Sequence, residues 1–120
     1  MNPLYGSMPE KNKWRGRIDP AVYDGIVEEA GTFARIWAVA PEREGIVPFV
    51  RRVKAVNPSA VISVAHSEAT PEEVYALKKY GLILQTHCMN ATGRKKTLPG
   101  TRSCGPDEAC LGDRDMYAEL

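Results

Sequence analysis

Apolar residues fall into two kinds of block along the chain, and the alternation of those blocks sets the predicted architecture. Val22, Ile26 and Val27 recur at helical spacing behind Asp19-Pro20, an N-cap followed by proline at the first helical position, and the pattern stops near Gly31. Ala34 to Ala40 is a short apolar and aromatic run ending at Pro41, which reads as a strand. Pro48 opens a second helical face through Phe49, Val50, Val53 and Val56. It closes at Asn57-Pro58, because the residue before a proline is pushed out of the helical region. Val61 to Ala65 is almost continuously β-branched, as in a strand buried on both faces of a parallel sheet. Thr70, Pro71 and Glu73 form a capping box for a third helix that runs to Tyr80 and stops at Gly81, and Leu82 to Gln85 is a further short strand.

The resulting order predicts about three consecutive βα units. Right-handed crossovers then make the strands parallel and neighbouring. The fold class is therefore α/β, either a doubly wound sheet or part of a (β/α)₈ barrel of the TIM type. A whole barrel takes about 250 residues, so 120 residues would be a piece of one. Around the βα units of residues 20–87, residues 1–19 show no period and read as a loop. Residues 88–112 form a polar loop rich in Gly, Pro, Thr and basic residues, long enough to suggest an active-site loop, and residues 113–120 are expected to start a helix.

A chain that is 43% hydrophobic and 26% charged has globular composition, which sets disorder aside. A net charge of +1, from 16 basic and 15 acidic residues, creates no field that would select nucleic acid or an anionic membrane. Apolar runs fall far short of the roughly 20 residues of a membrane span, and no signal segment opens the chain, so the expectation is a cytoplasmic protein. Cys88, Cys104 and Cys110 fit no metal-finger spacing and are odd in number; reduced thiols are expected, with a Cys104–Cys110 disulfide as the alternative.

Both histidines of the chain directly follow buried-type strands: His66 after Val61–Ala65, His87 after the strand ending at Gln85. They thus fall at the carboxyl edge of a parallel sheet, where ligands gather, and strands about 4.8 Å apart can bring two imidazoles onto one ion. Imidazole suits zinc or iron, and a catalytic site would need a further ligand and an open position. The plainer alternative is a pair of structural histidines. Ser67, Glu68 and Thr70 suggest a Ser/His/Glu nucleophilic set, but neighbours in one turn rarely converge, and helix capping accounts for them better. The segment from Asn90 to Lys96 joins backbone amides, Gly93 and three cations, and is either a phosphate grip or a solvated basic loop. No glycine-rich nucleotide motif is present.

Ala65-His66-Ser67-Glu68-Ala69-Thr70, then Gly81, then Thr86-His87-Cys88-Met89-Asn90-Ala91, resembles in letters and spacing the paired "GHS-x-AT … G … TH-x-x-NA" signature of the N-acetylglucosamine-6-phosphate deacetylases, in the amidohydrolase superfamily. Val39-Ala40-Pro41-Glu42 is similar to that family's "LAPE" strand end. Asn2-Pro3 with the Lys-rich stretch to Gly16 looks like the loop after its "EGP" motif, and Thr101–Cys110 with Met116–Glu119 looks like the approach to its next strand.

This resemblance implies a distorted (β/α)₈ barrel that hydrolyses the acetamide of N-acetylglucosamine 6-phosphate to glucosamine 6-phosphate and acetate. It implies His66 and His87 as ligands of a divalent metal, zinc first and iron as the alternative. Asn90, Ala91 and a nearby cation such as Arg94 would meet the sugar phosphate. The expected partner is thus a phosphorylated amino sugar, with no nucleic acid or membrane, and with a homodimer in the full-length enzyme. The family's glutamate ligand would precede Met1 and its catalytic aspartate would follow Leu120, so no catalytic residue is expected within this chain, which alone should be inactive. Ala65, Cys88-Met89 and Thr92 depart from the family pattern. A non-catalytic phosphosugar- or metal-binding α/β domain is the alternative reading.

Overall fold

Asp19 caps the first helix through its carboxylate, which accepts from the Ala21 amide at 2.9 Å, and α1 then spans Pro20–Ala30. In the computed structural model, which describes residues 1–5, 9–12, 15–95, 99–101 and 103–120, the chain continues through β1 (Ile36–Val39), α2 (Ile46–Val56), β2 (Val61–Val64) and α3 (Pro71–Ala76). A 3₁₀ turn (Lys78–Tyr80), β3 (Leu82–Gln85), α4 (Pro106–Leu111) and β4 (Tyr117–Ala118) complete it. The expected capping box forms in full: the Glu73 amide donates to Thr70 Oγ1 and the Thr70 amide to Glu73 Oε2. Gly81, at φ 87°, supplies the left-handed residue that turns the chain into β3.

All four strands are parallel and lie in sequence order, β1-β2-β3-β4. A doubly wound sheet reverses order at a switch point, and none occurs among these strands; winding in one direction is what a barrel requires. Val39 of β1 lies beside Val64, which lies beside Gln85, so these residues share a face. Val39, Ile62, Val64 and Leu82 pack there against Val27 of α1, Val50 and Val53 of α2 and Val74 of α3. On the opposite face of β1, Ile36 and Ala38 are exposed. The fully buried Ile62 alone contributes roughly 1.5–3 kcal/mol by leaving water.

Three elements differ from the sequence expectation. α2 begins at Ile46, with Pro48 inside its first turn, where a missing amide hydrogen costs nothing because that amide has no helical partner. The segment 88–112 is not one loop: α4 interrupts it, starting at Pro106 behind Gly105, whose amide donates to Glu108 Oε2 at 2.8 Å. Residues 113–120 do not start a helix. Asp113–Asp115 make a turn, with the Asp115 amide on Asp113 Oδ1, and Tyr117–Ala118 then pair with Leu84 and Gln85 as β4. A waiting strand edge satisfies those backbone groups, which a two-turn helix at that position would leave exposed. The three cysteines are free, and no described helix is long and apolar enough to cross a membrane.

Candidate metal centre

β2 and β3 deliver His66 and His87 to one edge of the sheet, and both histidines sit in left-handed backbone, at φ 48° and 38°. Met89 and Ala91 follow at 64° and 54°. Four non-glycine residues in that region within two strand-end turns store strain of about 1–3 kcal/mol each, which surrounding contacts must hold.

The contacts that hold the imidazoles are specific. His66 Nδ1 lies 2.9 Å from the carbonyl oxygen of Tyr5, and His87 Nδ1 lies 3.0 Å from that of Asn90. A carbonyl can only accept, so each Nδ1 carries the hydrogen, which leaves Nε2 as the ring nitrogen able to present a lone pair to an ion. The two Nε2 atoms face one another at 3.0 Å, with the rings edge to face at 79°. Two acceptors that close attract only if a proton or a cation lies between them. Two imidazoles on one tetrahedral ion, with bonds of about 2.0–2.1 Å, hold their nitrogens about 3.3 Å apart, so the pocket needs only a few tenths of an ångström of relaxation. Backbone carbonyls on both Nδ1 atoms are the outer support that metal-binding histidines use. Among the described residues no third His, Cys, Asp or Glu completes a ligand set.

The turn after His66 is tied to the start of the chain and to β1. Glu42, just past β1, accepts from Ser67 Oγ at 2.7 Å, from the Glu68 amide at 3.0 Å and from Asn2 Nδ2 at 2.9 Å. The Asn2 amide donates to the His66 carbonyl at 2.7 Å, and Tyr5 Oη donates to Glu68 at 3.0 Å. Burial, with Glu68 beside it, raises the Tyr5 phenol above its ordinary range. Ser67 is fully buried and also accepts from the Ala69 amide, so its hydroxyl is a turn brace and no nucleophile. An open cleft shares Glu42 and Glu68 with this network and is otherwise walled partly by Arg15, Arg17 and Arg43; neither histidine lines it.

The turn after His87 is tied to α4. Asp107 accepts from Gln85 Nε2 at 2.5 Å, from the Met89 amide at 2.9 Å and from Thr92 Oγ1 at 2.7 Å. Asn90 closes the turn, its amide donating to the His87 carbonyl at 3.1 Å. Ala91 follows, and Gly93 lies under the ring of Tyr5 while its amide donates to the Ser67 carbonyl at 2.9 Å, joining the two histidine turns. Arg94 pairs with Glu108 and Lys95 with Glu73 at 2.5 Å, so both cations of the expected phosphate grip are engaged by carboxylates; Lys96 lies outside the described residues. The Glu108 pairing holds the Arg94 guanidinium above its ordinary pKa. Neither Asp107 nor Tyr5 stands out along the chain as a group that would orient an imidazole. Asp107 was legible only as part of Gly105-Pro106-Asp107-Glu108, a helix-start pattern hidden among neighbouring glycines and prolines.

Fold and site together define an α/β protein of singly wound parallel strands, with two imidazoles converging at the carboxyl edge. Among solved structures, the chain is similar to N-acetyl-D-glucosamine-6-phosphate deacetylase from Mycobacterium smegmatis, at 28% identity and a TM-score of 0.66, over 86% of this chain and 26% of that one. A variant of that enzyme in complex with N-acetyl-D-glucosamine-6-phosphate matches at 27% identity and the same TM-score, over 86% and 26%. The N-acetylglucosamine-6-phosphate deacetylase of Pasteurella multocida matches at 21% identity and a TM-score of 0.65, over 95% of this chain and 27% of that one, a likeness of fold. No protein-family model matches the sequence. The resemblance read from the histidine motifs is thus met again in three dimensions, and the chain spans about a quarter of the length of the deacetylases it matches.

Proposed function

We propose that this chain supplies the two-histidine part of a metal-dependent deacetylase acting on N-acetylglucosamine 6-phosphate. The observation that carries the reading is the pair of Nε2 lone pairs facing at 3.0 Å, with both Nδ1 hydrogens committed to carbonyl oxygens. His66 and His87 would hold a divalent ion, zinc first and iron as the alternative. When bound, such an ion supplies Lewis-acid polarisation of an amide carbonyl and a nucleophile at neutral pH. The residues of this chain hold and orient: the Tyr5 and Asn90 carbonyls fix the imidazole tautomers, and the turn at Asn90 and Ala91 would receive the sugar phosphate. Arg94 would take part by exchanging its contact with Glu108 for one with phosphate. The products would be glucosamine 6-phosphate and acetate, with further groups needed for the third ligand and for proton transfer.

Two measurements test this. Zinc titration by calorimetry on the chain, on His66→Ala and on His87→Ala should give one site that either substitution abolishes; binding unchanged in both variants sinks the metal reading. Acetate release from N-acetylglucosamine 6-phosphate should be absent with the 120-residue chain and present with a version extended at both ends from its source gene. An extended protein that binds metal at these histidines but leaves the acetamide intact would retain the site and refute the substrate.

A further inference from the structure

We infer that Asp107 is the positioning residue of the His87 ligand: it presets the imidazole by holding, from α4, the strained turn on which that imidazole sits. The inference deepens the metal reading and rests on it. The turn from His87 to Ala91 places three non-glycine residues in left-handed backbone, and the His87–Asn90 contact that fixes the tautomer exists only while the turn keeps that shape. Within the turn the Asn90 amide meets the His87 carbonyl, and the Cys88 amide donates to the Glu119 carbonyl at 2.6 Å. The Asp107 carboxylate adds support from outside, and it grips the segment on both sides of the ligand. Oδ1 takes Gln85 Nε2 two residues before His87 and the Met89 amide two residues after it, with the Cys88 thiol at 3.9 Å; Oδ2 takes Thr92 Oγ1. Gln85 is fully buried, so this clamp is anchored in the core.

Only a carboxylate suits the position. Its partners are all donors, and an amide at residue 107 would turn an NH₂ group toward one set of them. The role differs from general helix docking, because α4 has other attachments, among them Glu108 to Arg94 and the Tyr75 hydroxyl on the Ala109 carbonyl at 3.1 Å.

The test uses Asp107→Asn, with Thr92→Val as the milder variant that removes only the Oδ2 contact, and Glu108→Gln as the control that loosens α4 without touching the turn. The first readout needs no metal: ¹⁵N NMR of the histidine side chains in the metal-free chain. Wild type and Glu108→Gln should show His87 with its hydrogen fixed on Nδ1, whereas Asp107→Asn should show exchange between tautomers and Thr92→Val a partial shift, His66 staying unchanged in all. The second readout is zinc affinity, expected to fall 10–100-fold in Asp107→Asn, the range typical of outer supporting contacts, and to hold within about twofold in Glu108→Gln. If Asp107→Asn fails to fold, the tautomer shift in Thr92→Val decides. A His87 tautomer unmoved in the folded clamp variants overturns the inference. Should the wild type bind no zinc, the metal reading falls, and the tautomer comparison still decides whether Asp107 sets His87.

Discussion

His66 Nε2 and His87 Nε2 point at each other across 3.0 Å, from turns at the ends of neighbouring parallel strands. Anything that binds between them binds the folded chain and not the unfolded one, and so shifts stability by mass action. With free zinc at a hundred times its dissociation constant, the unfolding free energy should rise by about 2.7 kcal/mol, and a chelator should return it. Denaturant titrations with and without zinc measure this. A His87→Ala chain that gained the same stabilisation would place the ion elsewhere.

Gly93 and Tyr5 form the tightest steric relationship at the site: a Cβ on residue 93 would come within 2.2 Å of the tyrosine ring. Gly93→Ala should therefore cost about 1–3 kcal/mol, as overpacking does, and should displace the Tyr5 carbonyl from His66. Tyr5→Ala removes the obstacle, so the double variant should be more stable than the sum of the single effects predicts. Strict additivity in that cycle would show that the ring does not constrain residue 93.

Glu42 collects three donors from two separate segments, and one of them, Ser67, is fully buried. Glu42→Ala should destabilise the chain by about 1–3 kcal/mol, the cost of leaving buried polar groups unpaired. Hydrogen exchange should localise the loss to the amides of residues 2 and 68. Uniform loss across α1 and α2 instead would argue for global softening.

Lys78 and Asp113 pair at 2.5 Å, tying the turn before β4 to the 3₁₀ turn before β3. The pairing lowers the Asp113 carboxyl below its ordinary value of 3.8 and raises Lys78 above 10.5. For the depressed acid, stabilisation is fully present above the unfolded value and fades as pH falls through the folded one. For the raised amine it is fully present below the unfolded value and fades as pH rises through the folded one. Asp113→Asn should therefore lower the melting temperature at pH 7, and the difference should shrink as pH falls through the depressed folded-state value of Asp113. A difference that persists undiminished in acid would mean that the aspartate acts through the Asp115 amide rather than through charge.

The order of residues along the chain specifies the elements that local chemistry can set. Asp19-Pro20, the Thr70–Glu73 box and Gly81 set helix ends through contacts two or three residues apart, and the β-branched run before His66 marks a buried strand; the positions of both histidines at strand ends follow. Tertiary structure alone decided β4, because Tyr117–Ala118 is too short to be a strand without the edge of β3 beside it. It also decided which groups orient the imidazoles. Tyr5 reaches His66 across 61 positions, and Asp107 reaches Met89 across 18. No spacing rule encodes contacts of that span, since they arise only after parallel pairing has brought the two strand ends together and α4 has closed over them.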